Sequence, residues 1–587
     1  MMPRVIRSPV ACLMLVVGAI LGVGYSSAHA QAPSSVRQTP HLVFSTYLGG
    51  SKGCFPGGGP LTFAQSAACD AQGNTYVTGA TQVSDLPVLH AYQPGPAADS
   101  TMSAFVAKYD PTGKPLWCTY LGGNKQSKGA GVAAMPDGGV AVAGLTTSDA
   151  LGPFPTSITA FQAKNNGQSD YFVSVFDANG NLKYSTYLGG SGVEGPPAPS
   201  TFADDSAPGN IVAVDAAGLV YVTGFTDSGG GAGAIKFPVT HNALQNDLAG
   251  MQDAFLCIID PSKTGMASLV YSSYLGGTHN EQGHCVAVEA SGRQTTVAGF
   301  THSSDFPTTA NALRRLAPPP GFLSNGFVTR IESSFPGDPA SVYTMSYSTY
   351  LGADTSDARD DTYGIALDPK GLIVATGRTQ SAGFPMTTRR PAIFNRAPYL
   401  KAGTSGDEPY LVKINPSLNG KASLVYSTFL GGGSPSGQWG SFCTSVGVDA
   451  GGTVYVAGET CAPGVKYARA SHPVKAPAEF PYTQDALLKA LQGSYDATFM
   501  QIKPGGSTLG YSTYLGGKDS DRTYGLGVDP FGNVVLAGLT FSADFPLINP
   551  AQTWPGNAGF QNAFVTKFSV ATSDAGAIGS PRLLPED

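Results

Sequence analysis

The sequence predicts an all-β fold, a seven-bladed β-propeller of four-stranded blades. Two features of the 587-residue chain predict it. Copies or near copies of the heptapeptide Tyr-Ser-Thr-Tyr-Leu-Gly-Gly recur 67 to 87 residues apart, beginning at Phe44, Trp117, Tyr184, Tyr271, Tyr347, Tyr426 and Tyr511. A repeat of this kind marks an architecture built from equivalent units. The first copy is a lone strand and the last repeat has only three, so the N-terminal strand is expected to close the ring by completing the last blade.

Each repeat contains four short runs rich in Val, Tyr, Phe, Thr and Ile, bounded by turn residues, which is typical of β-strands. The first run ends in an acid followed by a glycine three residues later, as at Asp215 and Gly218. This pair predicts a hairpin turn, with Pro136 and Gly139 as its counterpart in the second repeat. The second run ends in Gly-x-Thr, whose threonines we expect to bond between blades. Phe-Pro or Leu-Pro follows, then a third run, and the next heptapeptide is the fourth.

These linked motifs resemble a known repeat. The ordered set Tyr-Ser-Thr-Tyr-Leu-Gly-Gly, Ala-Val-Asp-x-x-Gly, Tyr-Val-Thr-Gly-x-Thr, Asp-Phe-Pro and Ala-Phe-Val-x-Lys is similar to the SBBP repeat, the seven-bladed beta-propeller repeat of exported bacterial proteins. The resemblance covers about residues 42 to 568 and implies the propeller fold. It implies no particular chemistry, and no catalytic residues carry over from it.

The N-terminus has the pattern of a secretory signal peptide. Arg4 and Arg7 precede an apolar stretch at 10–23, and Ala28-His-Ala30 offers a cleavage site. We therefore expect a signal peptide (1–30), a linker (31–40), the propeller (41–570) and a C-terminal tail (571–587). The mature chain is expected to be exported to the periplasm, the exterior or the cell surface, without a transmembrane span and as a monomer. The acidic balance, with no basic stripe, argues against nucleic acid as a partner.

Seven cysteines follow the leader, and export permits disulfides. Cys443 and Cys461 flank one predicted hairpin and are the best candidates for a disulfide. No Cys-x-x-Cys occurs, which argues against a zinc or redox motif of that type.

Candidate ligand-binding residues lie where the repeats vary in length, namely after the heptapeptide and after Gly-x-Thr. Both loop classes are expected on one face of the ring, where a propeller places its sites. The candidates are charged residues of three such loops: His279, Glu281, His284, Asp354, Asp357, Asp360, Asp361, Asp519 and Asp521. Carboxylates gathered there could bind Ca²⁺, although no loop matches a calcium motif and solvated loop acids are the simpler interpretation. The repeated acids at 70, 215, 289, 368, 449 and 529 are assigned to turns instead.

Three classes of function remain open. A non-catalytic binding or scaffold protein, engaging a protein, glycan or surface ligand through the variable-loop face, is favoured because every recurring motif has a structural role. A polysaccharide lyase or hydrolase would need ionisable groups converging at the channel with shifted pKa values. A cell-envelope structural protein is the third alternative. The sequence names no catalytic residue, cofactor or specific partner.

Overall fold

The computed structural model describes residues 40–54, 59–195, 210–231, 233–316, 323–353, 359–381, 383–387, 406–433, 441–466, 479–556 and 559–570. They form seven four-stranded antiparallel sheets arranged as a ring, so the predicted seven-bladed β-propeller is confirmed. Within the described residues, no helix has the length and apolar character needed to cross a membrane.

The strands follow the order of the repeats. The opening strand is β1 (His41–Leu48). Blade 1 contains β2 (Thr62–Cys69), β3 (Thr75–Thr81), β4 (Ser103–Tyr109) and β5 (Pro115–Leu121). Blade 2 contains β6 (Ser127–Ala134), β7 (Val140–Thr146), β8 (Asp170–Phe176) and β9 (Leu182–Leu188). Blade 3 contains β10 (Val212–Val214), β11 (Val220–Thr226), β12 (Asp253–Ile259) and β13 (Leu269–Leu275). Blade 4 contains β14 (Glu281–Val288), β15 (Gln294–Thr301), β16 (Asn325–Ser333) and β17 (Tyr343–Leu351).

The remaining blades have the same plan. Blade 5 contains β18 (Asp360–Leu367), β19 (Ile373–Thr379), β20 (Glu408–Ile414) and β21 (Leu424–Phe429). Blade 6 contains β22 (Phe442–Val448), β23 (Val454–Thr460), a parallel ribbon of β24 (Gly464–Lys466) and β25 (Phe480–Tyr482), then β26 (Asp496–Ile502) and β27 (Leu509–Leu515). Blade 7 contains β28 (Asp521–Val528), β29 (Val534–Thr540) and β30 (Asn562–Ser569). Single 3₁₀ turns, Gly265–Ser268 and Gly420–Ser423, precede two outer strands.

The ring closes between the two ends of the chain, as the sequence predicts. β1 pairs antiparallel with β30 from His41 opposite Ser569 to Leu48 opposite Ala563, and so becomes the outer strand of blade 7. The Tyr47 hydroxyl donates to Ser542 O at 2.8 Å and accepts from Phe545 N at 3.2 Å. This tyrosine of the heptapeptide therefore fastens its own strand to the loop that contains Phe-Pro.

The Asp-x-x-Gly elements are hairpin turns, as expected. Asp529 Oδ1 accepts from the backbone N–H groups of Phe531 and Asn533, and Gly532 has a φ of 81°. Blade 2 differs from the sequence prediction by one residue. Its turn runs from Met135 to Gly138, which has the positive φ, rather than from Pro136 to Gly139.

The Gly-x-Thr threonines bond within a blade, not directly between blades as expected. Each hydroxyl lies beside the residue opposite it at the start of the inner strand, as in Thr301 to Glu281 at 2.5 Å and Thr379 to Asp360 at 2.5 Å. The first two strands of a blade are therefore joined by a polar contact at one end of the ring.

The inner strands surround a channel that is nearly closed. Its cavity has a volume of only about 80 Å³. Hydrogen bonds cross between blades there: Ser66 Oγ of blade 1 donates at 3.2 Å to Asn210 Oδ1, just before β10 of blade 3, and Thr444 Oγ1 of blade 6 donates at 2.8 Å to Thr523 O of blade 7. The cavity between the described inner strands is therefore large enough for only a few waters.

Replacing Gly525 by alanine is expected to lower the free energy of unfolding by about 1–3 kcal/mol. A Cβ at this position on β28 would lie 2.5 Å from the backbone N of Ala67 on the inner strand of blade 1, where neither backbone can yield. Gly95→Ala is the matched control, since a Cβ there meets nothing within 4 Å. Urea unfolding of the three proteins measures the difference, and equal midpoints for the two variants would contradict close packing at the channel.

The expected disulfide between Cys443 and Cys461 is not formed, and both cysteines are free thiols. The register explains why. Cys443 pairs with Gly458, and Cys461 lies three residues further along. At about 3.4 Å per residue the two cysteines are separated by roughly 10 Å along the strand, beyond the Cα separation of about 7 Å that a disulfide tolerates.

Candidate functional site

One end of the ring, which we call the top face, contains the candidate residues that the structure describes. Here each outer strand passes to the next inner strand, and each second strand passes to the third. Asp354 and Asp357 lie outside the described residues. The other seven candidates are described, and they divide into exposed loop residues and buried strand residues.

His279 and Asp519 are the two exposed candidates. Their backbone N–H groups are held at 2.8 Å by Ser303 Oγ and at 2.9 Å by Ser542 Oγ. Both residues occupy the same position in different blades, so the ring separates them rather than joining them in one site.

Glu281, Asp360 and Asp521 are not solvated loop acids, which corrects the simpler interpretation of the sequence. Each is the first residue of an inner strand and has at most 1% of its surface exposed. They lie in three different blades and each is held by hydroxyls or backbone amides of its own surroundings. A calcium site shared among them is therefore not formed.

The sequence analysis did not identify a second set of buried acids that lie close to these three. An acid begins the third strand in four blades, at Asp170, Asp253, Glu408 and Asp496, and all four are fully buried. The recurrence of an acid directly before the third apolar run was the available signal. Each lies near the junction with the next blade. Asp170, Asp253 and Asp496 lie beside the first glycine of the Gly-Gly pair that ends the heptapeptide, and Glu408 lies beside the third of the three glycines at 431–433.

The acid before Phe-Pro holds the top-face connections in place. Asp305 Oδ1 accepts from Thr278 N at 2.9 Å, and Asp544 Oδ1 accepts from Lys518 N at 2.9 Å. Hydrogen bonds from these groups lower the pKa of both carboxyls, although burial opposes the shift. The connections are thus fixed supports for the residues around the channel.

The residues opposite the x of each Gly-x-Thr motif, which are the first or second residues of the inner strands, surround the opening of the channel. We call this ring of side chains the channel mouth; its described members are Phe63, Lys128, Gln282, Asp361, Phe442 and Arg522. Five of the six are half-buried, and Asp361 is buried. Side chains from six blades thus meet where a ligand could cover the closed channel.

An ionic network anchors one side of the channel mouth. Arg378 NH2 lies 2.9 Å from Asp361 Oδ2, and Gln380 donates to Asp407 on the far side of the guanidinium. Burial acts to raise the pKa of Asp361, but Arg378 and a hydrogen bond from Ser324 hold it below its usual range. Asp361 is therefore a charged structural partner of Arg378.

An arc of aromatic rings crosses blades 4 to 6 beside this network. His302, Phe300, His284, Tyr363 and Phe442 follow one another with centroid separations of 5.1–5.8 Å. His284 is 3% exposed, and its Nδ1 lies 3.1 Å from Thr362 O. Burial lowers the pKa of His284 to about 4, so its ring is neutral at neutral pH. The imidazole acts here as a packed aromatic ring.

Two cations complete the channel mouth. Arg522 lies 3.4 Å from Glu459 Oε2, and its guanidinium is 5.2 Å from the centre of the Tyr495 ring. Lys128 Nζ lies 5.2 Å from the centre of the Phe63 ring, and no described carboxylate forms an ion pair with it. Burial lowers the pKa of Lys128 to about 8. Lys128 is thus a cation that remains available to a ligand.

Metal binding finds no further support among the described residues. They contain no group of three or more His, Cys, Asp or Glu side chains placed to hold one ion. Calcium binding by the top-face loops stays a prediction, because two of its acids, Asp354 and Asp357, are not described.

An open cleft lies at the opposite end of the ring, between blades 1 and 2. It measures about 470 Å³ and is lined by His90, Leu116, Trp117, Ala178, Asn179 and Asn181. The Trp117 ring is 2% exposed, and its indole N–H already donates to Ala178 O at 3.1 Å. The cleft offers little that could select a ligand.

Comparisons with known proteins give only distant likenesses. No protein family matches the chain, and no curated protein matches it. Solved structures that resemble it include a quinohemoprotein alcohol dehydrogenase from Pseudomonas putida, with 11% identity, a TM-score of 0.33 and coverage of 93% of this chain and 78% of that one. A europium-containing methanol dehydrogenase has 12% identity and a TM-score of 0.28 over 90% of this chain and 93% of its own. Values this low assign neither a family nor an activity to the chain.

Proposed function

We propose that this chain is an exported, non-catalytic binding or scaffold protein of the SBBP repeat type, and that it holds a protein, glycan or surface ligand on its top face. The observation that carries the proposal is the channel mouth, where half-buried aromatic and charged side chains from several blades surround one opening. Such mixtures of ring faces and fixed polar groups are common in binding sites.

The channel mouth is favoured over the channel interior as the place of binding. The cavity between the described inner strands measures only about 80 Å³. A ligand would therefore rest on Phe442 and Phe63 and meet the charges of Lys128 and Arg522 at the rim. Rigid connections on the top face keep these groups in position without a ligand, which lowers the entropic cost of binding.

A lyase or hydrolase is the second candidate, because Asp361 of the channel mouth lies close to His284 and Tyr363, and all three have shifted pKa values. Their contacts favour a structural role. Asp361 accepts from Arg378, Ser324 and Tyr363, and all these side chains are at most 9% exposed. A general acid or base needs to reach substrate, and these groups are directed into the protein.

Phe442→Ala and Lys128→Ala are each expected to weaken binding of a top-face ligand about tenfold, equivalent to about 1.4 kcal/mol. The first variant removes a ring face and the second removes the unpaired cation. A glycan array, a peptide panel and whole bacterial envelopes serve as probes, and titration of any hit gives the affinity. Lys518→Ala is the matched control, since Lys518 is an exposed lysine on the same face, outside the channel mouth.

Two results would contradict the proposal. Affinity unchanged in both channel-mouth variants would place the ligand elsewhere. Turnover of a polysaccharide by the wild type that disappears in Asp361→Asn, while the fold is retained, would move the protein to the enzyme class.

A further inference from the structure

The junctions between blades on the top face share one polar arrangement. The first residue of a third strand approaches the residue that opens the next inner-strand segment, and a glycine of the heptapeptide packs against both. In three junctions both residues are acids, and all six are fully buried: Asp170 with Glu194, Asp253 with Glu281, and Asp496 with Asp521. Because the same buried acid pair occurs at three junctions, it is a regular contact between neighbouring blades rather than an isolated irregularity.

The junction between blades 2 and 3 shows the contact most clearly. Asp170 Oδ2 accepts from Gln162 Nε2 at 2.6 Å and from Asn166 N at 3.0 Å. Glu194 Oε1 accepts from Thr226 at 2.7 Å and from Ser228 at 2.5 Å. The other oxygens, Asp170 Oδ1 and Glu194 Oε2, are buried without a hydrogen-bond donor among the described residues.

These two oxygens are directed at the same place. A Cβ on Gly189 would lie 2.5 Å from Asp170 Oδ1 and 2.8 Å from Glu194 Oε2, so only glycine fits between the acids and the turn. The two side chains are within hydrogen-bonding reach of each other. Two buried carboxylates that face one another cannot both be charged without a large cost in free energy.

No described cation offsets the pair. The charged group that faces the pair from the residue after β11 is another acid, Asp227. The other ionisable neighbours are tyrosines, whose phenol groups are neutral at neutral pH: Tyr171, Tyr187 and Tyr274. Burial, and then the charge of Glu194, raises the pKa of Asp170 to about 8.

We propose that Asp170 and Glu194 share one proton at neutral pH, and that this carboxyl–carboxylate hydrogen bond joins blade 2 to blade 3. The proton lies between Asp170 Oδ1 and Glu194 Oε2 and supplies a donor to the unpaired Asp170 Oδ1, while the Gly190 backbone N–H also faces Glu194. Its loss at higher pH leaves two facing charges and weakens the junction.

The chain contains a neutral counterpart of the same contact. At the junction of blades 4 and 5, Asn325 occupies the position of Asp170, and Asp360 occupies that of Glu194. A Cβ on Gly352 would lie within 2.5 Å of both Asn325 Oδ1 and Asp360 Oδ2. Rotation of the Asn325 amide by about 180° directs its N–H at Asp360. An amide there does what a protonated aspartic acid does at Asp170.

A proton fits the pair better than a metal ion. Ca²⁺ takes six to eight oxygen ligands in proteins, whereas this contact offers two free carboxylate oxygens. No described group of three His, Cys, Asp or Glu side chains could hold an ion. The close approach of the glycine also excludes ligands from that side.

The direction of the pH effect follows from linkage. The pKa of an aspartic acid in an unfolded chain is about 3.9, and that of Asp170 in the folded protein is about 8. Between these values the folded state holds one proton more, so the folding equilibrium constant falls by up to about tenfold for each unit of rising pH. The raised pKa values of Asp521, about 7, and Asp496, about 6, act in the same direction.

Proton release on unfolding tests the proposal with the full chain. Near pH 6 we expect the wild type to release one more proton than Asp170→Asn, whose amide N–H supplies the missing donor permanently. The stability of this variant should also fall less steeply with pH. Asp110→Asn is the control, because hydrogen bonds hold the pKa of Asp110 below its usual range and its release should match the wild type.

Three outcomes would overturn the shared proton. One is equal proton release by the wild type and Asp170→Asn. Another is a rise in wild-type melting temperature with Ca²⁺ and a fall with chelator, which would indicate a cation at the pair. If Asp170→Asn does not fold, the infrared difference between the wild type and Glu194→Gln near pH 7 decides, because buried Glu408 also contributes a protonated-carboxyl stretch to both spectra: loss of one such stretch in the variant supports the proposal, and an unchanged stretch contradicts it.

Discussion

Deleting residues 31 to 50 is expected to abolish the cooperative thermal transition of the ring. The deletion removes β1, which contributes the outer strand of blade 7 through a register of seven residue pairs with β30. It also removes Phe44, Tyr47 and Leu48, which are at most 2% exposed. Burial of each large apolar side chain contributes about 1.5–3 kcal/mol, and the loss would leave the edge of β30 open to aggregation.

Complementation by a peptide sharpens this experiment. A synthetic peptide of residues 41–50 should restore a transition to the truncated chain, because its register on β30 is fixed by side chains that alternate between buried faces. A peptide of the same composition in scrambled order is the control. Calorimetry measures both mixtures, and a truncated protein with the wild-type melting temperature would refute closure by β1.

Lys567→Met is expected to lower the free energy of unfolding by about 3–5 kcal/mol, because it leaves a buried charge without its partner. Lys567 Nζ lies 2.9 Å from Asp529 Oδ2, with the two side chains 2% and 0% exposed. The same ammonium donates to Gly73 O at 2.8 Å. Lys567 therefore joins β30 to the turn of its own blade and to blade 1, across the seam where the ring closes.

An exposed pair provides the matched control. Lys518 lies 3.4 Å from Asp544 and is 85% exposed, so Lys518→Met should change the free energy by less than about 1 kcal/mol. The double variant Lys567→Met/Asp529→Asn should recover part of the lost free energy of unfolding, because it no longer buries an unpaired Asp529 charge. The amide oxygen of the new asparagine can still accept hydrogen bonds from the backbone N–H groups of the turn. Chemical unfolding measures all four proteins. Equal effects of the two lysine variants would show that the buried pair is not needed.

The repeat by itself determined the architecture. Strand periodicity, the Asp-x-x-Gly turns and the split last blade are local or periodic signals, and each predicts its element wherever it occurs in the chain. The turn of blade 2 is an instructive exception. The sequence prediction placed this turn at Pro136 and Gly139, and only the backbone conformation showed that it runs from Met135 to Gly138.

Only the tertiary structure decided which top-face residues meet and which are buried. Glu281, Asp360 and Asp521 follow loops in the sequence, yet blade packing encloses them completely. Asp170 and Glu194 come from neighbouring blades, and their contact depends on the angle and spacing between sheets, which strand patterns do not encode. The same limit applies to Cys443 and Cys461, which flank one hairpin but are kept apart by its register. Periodicity fixes the elements because it acts along the chain, whereas a site depends on distances between elements, which arise only when the blades pack.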